Sequence, residues 1–213
     1  MTLPLPLRNR LADLILEALH EARARRGLEA LAATCRDPGA LGSGAPPPGF
    51  PADLFDRRAD GWHVKAGFRA HADALGERAT RAARALADRP LSPADPPLDV
   101  ALGEAATLFD AGLYFEVHEL LEPHWMRADG VERTALQGLI QVAVGLQHLA
   151  NRNLEGARAL LREGAAKLVG QRLAGRDLDG FARRVHRCGT ELHDAEAAQR
   201  FDWSAAPRFP AGA

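Results

Sequence analysis

Histidine and glutamate side chains that could share a proton or hold a metal ion are concentrated in one stretch, FEVHELLEPHW, at residues 115–125. Within it, His118 is followed directly by Glu119 and, four positions later, by Glu122. On a helix, residues four positions apart lie one turn apart on the same face, so His118 and Glu122 can touch. Imidazole nitrogens and carboxylate oxygens bind zinc, manganese or iron, and the same groups can transfer protons. This stretch is the one chemically distinctive feature of the sequence.

A helical wheel predicts which of these side chains are buried. With His118 at zero, Trp125 falls at about −20° and Glu122 at about 40°. The apolar side continues through Tyr114, Val117 and Leu121. We therefore expect His118 and Glu122 to lie inside the apolar face. Glu119 is expected at its border and Glu116 farther round, both still counted with the polar pocket.

The next predicted helix is apolar on nearly every side except for one polar stripe, within an arc of about 80°. The stripe consists of Arg133, Gln137, Gln141 and His148. Because a short turn joins the two helices, they are expected to be antiparallel neighbours. The sequence thus predicts that the stripe faces His118, Glu119 and Glu122. The expected pairings are Arg133 with a glutamate and His118 with a glutamine.

Three interpretations of this polar cluster follow. It could be a buried hydrogen-bond network that fixes the register of two helices. It could be a pocket for a small polar ligand, or part of a protein-interaction module, and such a pocket could move a proton. The third is a metal-dependent hydrolase with His118, Glu119, Glu122 and His148 as ligands, although the spacing matches neither a zincin nor a di-iron carboxylate site. No other cofactor is predicted, no serine or cysteine lies in the cluster, and the sequence leaves open whether the protein is an enzyme.

The composition predicts an all-α fold, because Ala, Leu, Arg and Glu dominate while β-branched and aromatic residues are scarce. We expect a bundle of two central helical hairpins with flanking N- and C-terminal helices. The predicted divisions are an amphipathic helix in 1–36, a Pro/Gly-rich linker with a weak helix in 37–97, a helical core in 98–200 and an extended tail in 201–213. The predicted helices are 8–33, 62–87, 99–110, 113–126, 131–150, 154–173 and 178–199. The tail is expected to pack through Phe201 and Trp203.

Charge and targeting signals restrict the partners. The chain has 27 Lys and Arg against 28 Asp and Glu, a net charge of −1, so no basic excess favours nucleic acid or anionic lipid. The N-terminus does not resemble a signal peptide, and no apolar run approaches the roughly 18 residues of a membrane span. Cys35 and Cys188 form no metal-binding or disulfide pattern. We expect a cytoplasmic protein; the sequence does not predict its oligomeric state.

The centre of the chain resembles a known family. The run FDAGLYFEVHELLEPHW, then R-x-x-x-Q-G-L-I-Q, then a histidine seven residues later, resembles the domain of unknown function 309 (DUF309) family over about residues 98–172. The matching residues are Gly112, Tyr114, Phe115, Glu116, His118, Glu119, Glu122, Trp125, Arg133, Gln137, Gln141 and His148. The resemblance implies a small all-helical fold and brings no established activity. Pro123, inside the motif helix, departs from the family pattern and frees the carbonyl of Glu119.

Overall fold

The computed structural model describes residues 2–212, and its contacts divide the chain into two compact units between Pro96 and Pro97. Within the described residues there are nine α-helices and two small two-stranded sheets. The predicted all-α fold class is confirmed. Each unit is described by itself below.

The first unit contains three helices and one β-hairpin. The helices are α1 (Leu5–His20), α2 (Ala22–Arg36) and α3 (Ala72–Leu86), and they pack on one another around a core of leucine and alanine. The single helix predicted from residue 8 to 33 is wrong, because Glu21 adopts an extended backbone and separates α1 from α2. Gly27 lets the loop at Gly49 cross α2, since a Cβ added at Gly27 would lie 2.1 Å from the Gly49 carbonyl oxygen.

The hairpin of the first unit was not predicted. Strands β1 (Phe55–Arg58) and β2 (Gly61–Val64) pair antiparallel, with Phe55 opposite Val64. The rings of Phe50, Phe55 and Trp62 pack together, with centroids 4.8 and 5.6 Å apart, and cover one face of the hairpin. The helix predicted from residue 62 therefore begins ten residues later, at Ala72.

The second unit contains the two predicted hairpins. The first pairs α4 (Leu98–Asp110) with α5 (Tyr114–Arg127), and the second pairs α6 (Gly130–Ala150) with α7 (Leu154–Leu168). Gly112 and Gly130 have φ of 71° and 49° in the turns that precede α5 and α6, a backbone conformation that glycine adopts without strain. The start and end predicted for α4, α5 and α6 agree with the structure to within one residue.

Short strands and two helices complete the second unit. Strands β3 (Arg172–Leu173) and β4 (Arg176–Asp177) form a small hairpin before α8 (Asp179–Glu191), which packs on α7. The helix predicted over 154–173 ends at Leu168, and the one predicted over 178–199 ends at Glu191 and is followed by the separate short helix α9 (Ala195–Gln199).

Glycines bring α6 and α7 close together. A Cβ added at Gly164 would lie 2.8 Å from the Gly138 carbonyl oxygen, and one at Gly138 would lie 2.7 Å from the Leu168 side chain. A Cβ added at a third glycine, Gly145, would lie 3.0 Å from the side chain of Leu161. The second hairpin is therefore held by near-backbone contact along its length. The middle of the second hairpin therefore has a structural role.

The residues after α9 return to the second unit. Trp203 stacks near Tyr114, with ring centroids 6.2 Å apart, but remains 44% exposed. Phe209 is 6% exposed and is the buried anchor of this segment. The prediction that the tail packs through Phe201 and Trp203 thus identified aromatic contacts but missed the anchor.

Candidate functional site

Helix α5 buries a different sector from the one the wheel indicated. Its buried side chains are Tyr114, Glu116, Val117, Leu120 and Leu121. The helix packs against both α4 and α6, and these two neighbours centre the buried sector on Val117 instead of His118. The side chains of His118 and Glu122 are consequently 28% and 43% exposed. The prediction that these two side chains are buried is wrong.

His118, Glu119 and Glu122 nevertheless form a compact cluster. Nδ1 of His118 lies 3.1 Å from a carboxylate oxygen of Glu119, and Nε2 lies 3.8 Å from a carboxylate oxygen of Glu122. One donor atom from each of the three residues can be chosen so that all lie within 4.8 Å of one another. The ring of Phe115 flanks the imidazole at 6.2 Å between centroids. We call His118, Glu119 and Glu122 the α5 cluster.

Glu116 is separate from the α5 cluster. It points to the opposite side of the helix and is fully buried, with 0% exposure. Glu104 on the neighbouring helix α4 is almost as deeply buried, at 2%. The sequence reading did not single out Glu104, although its position between Ala101 and Leu108, on the buried face of α4, was a usable signal.

Arg133 contacts the end of α5 and not its glutamates. Its Nη1 donates to the carbonyl oxygens of Trp125, Met126 and Ala128, at 2.9, 3.5 and 3.3 Å. Its guanidinium carbon lies 4.1 Å from the centre of the Trp125 ring. A cation at the C-terminus of a helix satisfies otherwise unpaired carbonyl groups and the negative end of the helix dipole. The predicted ion pair between Arg133 and Glu119 or Glu122 does not form.

Two of the other polar side chains of α6 contact α7 or the turn before it. Nε2 of Gln141 donates to Glu163 at 3.1 Å, and Nδ1 of His148 lies 2.9 Å from the side-chain amide nitrogen of Asn153. The side-chain oxygen of Asn153, Oδ1, in turn caps the first turn of α7 by accepting a hydrogen bond from the Gly156 N–H at 3.0 Å. Within residues 2–212, no hydrogen bond or ion pair joins Arg133, Gln137, Gln141 or His148 to the α5 cluster. The predicted contact of the α6 stripe with His118 is wrong, and the predicted binding role of these residues stays a prediction.

Comparison with known proteins identifies this part of the chain. The family model described as domain of unknown function (DUF309) matches residues 102–160. The matched residues all lie within the second unit. The match begins within α4, includes all of α5 and α6, and ends within α7. No curated protein and no solved structure matches the chain.

The α5 cluster offers ligand atoms suited to a divalent metal ion. A metal ion bonds to one imidazole nitrogen, at about 2.1 Å, and to carboxylate oxygens at about 2.0–2.2 Å. A Nε2 to carboxylate distance of 3.8 Å would correspond to an angle of about 130° at a metal ion bonded to both atoms. The carboxylate of Glu119 lies 3.1 Å from the other ring nitrogen as an ion-pair contact. The residue types and the short separation of their atoms make the α5 cluster the candidate cation site among residues 2–212.

Among residues 2–212, the first unit and the second unit each contain one free cysteine. Burial raises the pKa of Cys188 in α8 to about 11, and the Glu191 carboxylate adds to the shift. Burial likewise raises the pKa of Cys35 in α2 to about 12, with a contribution from Asp73. Both thiols are protonated at neutral pH and are therefore weak nucleophiles and poor metal ligands.

None of the helices in residues 2–212 combines the length and the apolar composition that crossing a bilayer requires.

Proposed function

We propose that the second unit of this chain is a binding module for a divalent cation. In this proposal the cation binds to Nε2 of His118 and to the carboxylate of Glu122. Glu119 accepts a hydrogen bond from Nδ1–H and holds the ring in that tautomer. The proposal keeps two of the metal ligands of the predicted hydrolase alternative, His118 and Glu122, and leaves out its catalytic activity.

The observation that carries the proposal is the pair of contacts at opposite nitrogens of one imidazole, 3.1 Å to Glu119 and 3.8 Å to Glu122. With Nδ1 directed at Glu119, Nε2 is the ring nitrogen that lies nearer the second carboxyl group and could bind a cation through its lone pair. The cluster thus places two carboxyl groups beside one imidazole. Arg133, the cation that was predicted to pair with one of these glutamates, is bound to carbonyl oxygens at the end of α5.

The partial exposure of the three side chains of the α5 cluster also supports the binding of a cation. The three side chains of the α5 cluster are 28–43% exposed, so a hydrated ion can reach them and water can fill its remaining coordination positions. An imidazole with carboxylates suits manganese, iron and zinc. The hydrolase alternative is not advanced, because His148, its fourth ligand, lies in the contact with Asn153.

The test is a titration of tag-free full-length protein, stripped of metal with a chelator, with manganese or zinc in a calorimeter. We expect one equivalent to bind, and His118→Ala and Glu122→Gln to abolish this binding. Glu119→Gln keeps the metal ligands but weakens the orientation of the ring, so we expect the affinity to fall about tenfold.

A matched control is His193→Ala. His193 also lies beside a carboxylate, 3.5 Å from Asp194, but it belongs to no cluster of three possible ligands in residues 2–212. This substitution should leave the titration unchanged. Absence of binding by the parent, or equal binding by the parent and His118→Ala, would refute the proposal.

A further inference from the structure

A four-residue segment near the end of the chain, Pro207–Pro210, is held against the second unit more like a bound peptide than like a continuous part of the core. None of the fourteen residues from His193 to Ala206, which connect it to α8, is buried. Pro207, Phe209 and Pro210 are buried again. The segment is thus a buried point of attachment at the end of a connector that has no buried residue and that contacts the helices through Trp203, beside Tyr114.

The side chain of Phe209 fills an aromatic pocket. Its ring lies 5.4 Å from that of Phe109 in α4 and 6.1 Å from that of Phe181 in α8. Phe109 also packs edge-on to Phe181 at 5.9 Å and to Tyr114 at 5.2 Å. Edge-to-face aromatic contacts at these distances stabilise an inserted ring beyond the burial of its area. The pocket is therefore specific for a flat aromatic side chain.

Two charged side chains bind the backbone on either side of this ring. A carboxylate oxygen of Asp110 accepts the Phe209 N–H at 3.0 Å, and Nη1 of Arg176 donates to the Pro210 carbonyl oxygen at 2.9 Å. Arg176 is only 8% exposed, and its Nε has no hydrogen-bond partner within the described part of the chain. Burying a guanidinium is costly unless it is paired, so Arg176 needs an acceptor at this position.

We propose that Phe109, Phe181, Asp110 and Arg176 form a recognition site for an extended peptide with an aromatic residue between prolines, and that a second copy of this chain can supply the peptide. In the structure the chain's own Pro207–Pro210 occupies the site. The exposed connector lets this segment leave and the same segment of another copy take its place. Exchange of identical elements between copies creates dimers without requiring any new surface.

The chemistry of the site defines what it accepts. The ring pocket requires an aromatic side chain, and Asp110 requires a backbone N–H, which proline lacks at that position. Arg176 requires a carbonyl one residue later. Prolines on both sides favour an extended backbone before binding and so reduce the entropy that is lost on binding. The tethered segment competes at millimolar effective concentration, so binding from a second copy is weak while the site is occupied internally.

The test opens the site in the full-length chain with Phe209→Ala and adds a fluorescent peptide with the sequence of residues 201–212. This peptide carries the segment that a second copy would bring. We expect saturable binding to the variant by fluorescence anisotropy, and binding to the parent at least about tenfold weaker because its own segment competes. A peptide with Phe209→Ala should not bind, and Asp110→Ala in the opened chain should weaken binding. A Phe209→Ala chain that folds but does not bind the peptide would overturn the proposal.

A second route avoids the substitution, in case the opened chain does not fold. A protease site introduced at Ser204 and Ala205, which are exposed, allows the folded chain to be cut after purification. On dilution, the cut segment should dissociate while the circular dichroism of the remaining chain is unchanged, and added peptide should rebind. Unfolding on release would show that the segment is part of the core, and the proposal would fail.

Discussion

The two hairpins of the second unit use their polar side chains in different ways. In the α6–α7 hairpin, Gln141 contacts Glu163 and His148 contacts Asn153, so polar groups join one element to the next. In the α4–α5 hairpin, the imidazole of His118 contacts two carboxylates of its own helix. Contacts between elements fix a structure, whereas contacts within one turn leave the outer surface available to a ligand. The comparison therefore indicates a structural role for the polar contacts of the second hairpin and leaves the polar side chains of the first available for the proposed cation.

The largest stability effect should come from the glycine contact of the second hairpin. Gly164→Ala places a methyl group 2.8 Å from the Gly138 carbonyl oxygen, and we expect overpacking to cost about 2 kcal/mol. Urea denaturation measures this loss. The control is Gly189→Ala in α8, where the new Cβ would meet Leu161 at an ordinary 3.5 Å and helix propensity should add up to about 1 kcal/mol. If both substitutions stabilise the protein, α6 and α7 are not in the close contact described.

Arg133→Ala should have the next largest effect. It removes a helix C-cap and a cation–π contact to Trp125, and we expect the free energy of unfolding to fall by about 1–2 kcal/mol. Arg133→Lys should recover only part of this, because an ammonium lacks the planar guanidinium. The exposed Arg158→Ala is the control and should stay within about 0.5 kcal/mol of the parent by the same denaturation assay. Equal losses of stability in Arg133→Ala and Arg158→Ala would contradict the capping role of Arg133.

Substitutions of His148 and His118 test the difference between the two hairpins directly. His148→Ala should lower the free energy of unfolding by about 1 kcal/mol, because it removes the partner of the asparagine that caps α7. His118→Ala should leave the stability nearly unchanged, because exposed ion pairs contribute little. Cation binding should show the opposite order, with only His118→Ala losing it. Thermal melts and calorimetry on the same two variants decide whether the hairpins really differ.

Gln141→Leu should have the smallest effect. Its amide nitrogen binds the exposed Glu163, but its carbonyl oxygen is buried without a hydrogen-bond partner in residues 2–212, so the substitution loses one weak contact and removes one unfavourable one. We expect a change within about 0.5 kcal/mol in the free energy of unfolding. A loss several times larger would mean that Gln141 belongs to a connected polar network, as the sequence first suggested.

Local patterns predicted the central helices α4, α5 and α6 and the family resemblance correctly but failed where several neighbours act together. The turns at Gly112 and Gly130 and the cap at Asn153 are local signals, and α4, α5 and α6 begin and end close to the predicted residues. The wheel also brought His118, Glu119 and Glu122 together. It could not show that α5 packs between α4 and α6, and this arrangement turned Glu116 inward and His118 outward.

Long-range contacts explain the other differences. Arg133 was assigned to a glutamate by charge, but the carbonyl groups at the end of α5 lie closer, and no residue-type pattern reports them. The β1–β2 hairpin was hidden because its strands are only four residues long and depend on Phe50, from outside the hairpin, to cover their rings. The extended backbone at Glu21 has no local signal that we can identify.

The hydrogen bond from Phe209 to Asp110 has a spectroscopic consequence. It joins the backbone amide of Phe209 to α4, whereas the amide hydrogen bonds of the connector before it are to residues only two to four positions away. Hydrogen exchange at this single amide then measures the free energy of opening of the segment, separately from global unfolding. Phe209 thus provides a built-in probe of whether the aromatic pocket is occupied, without a label or a substitution.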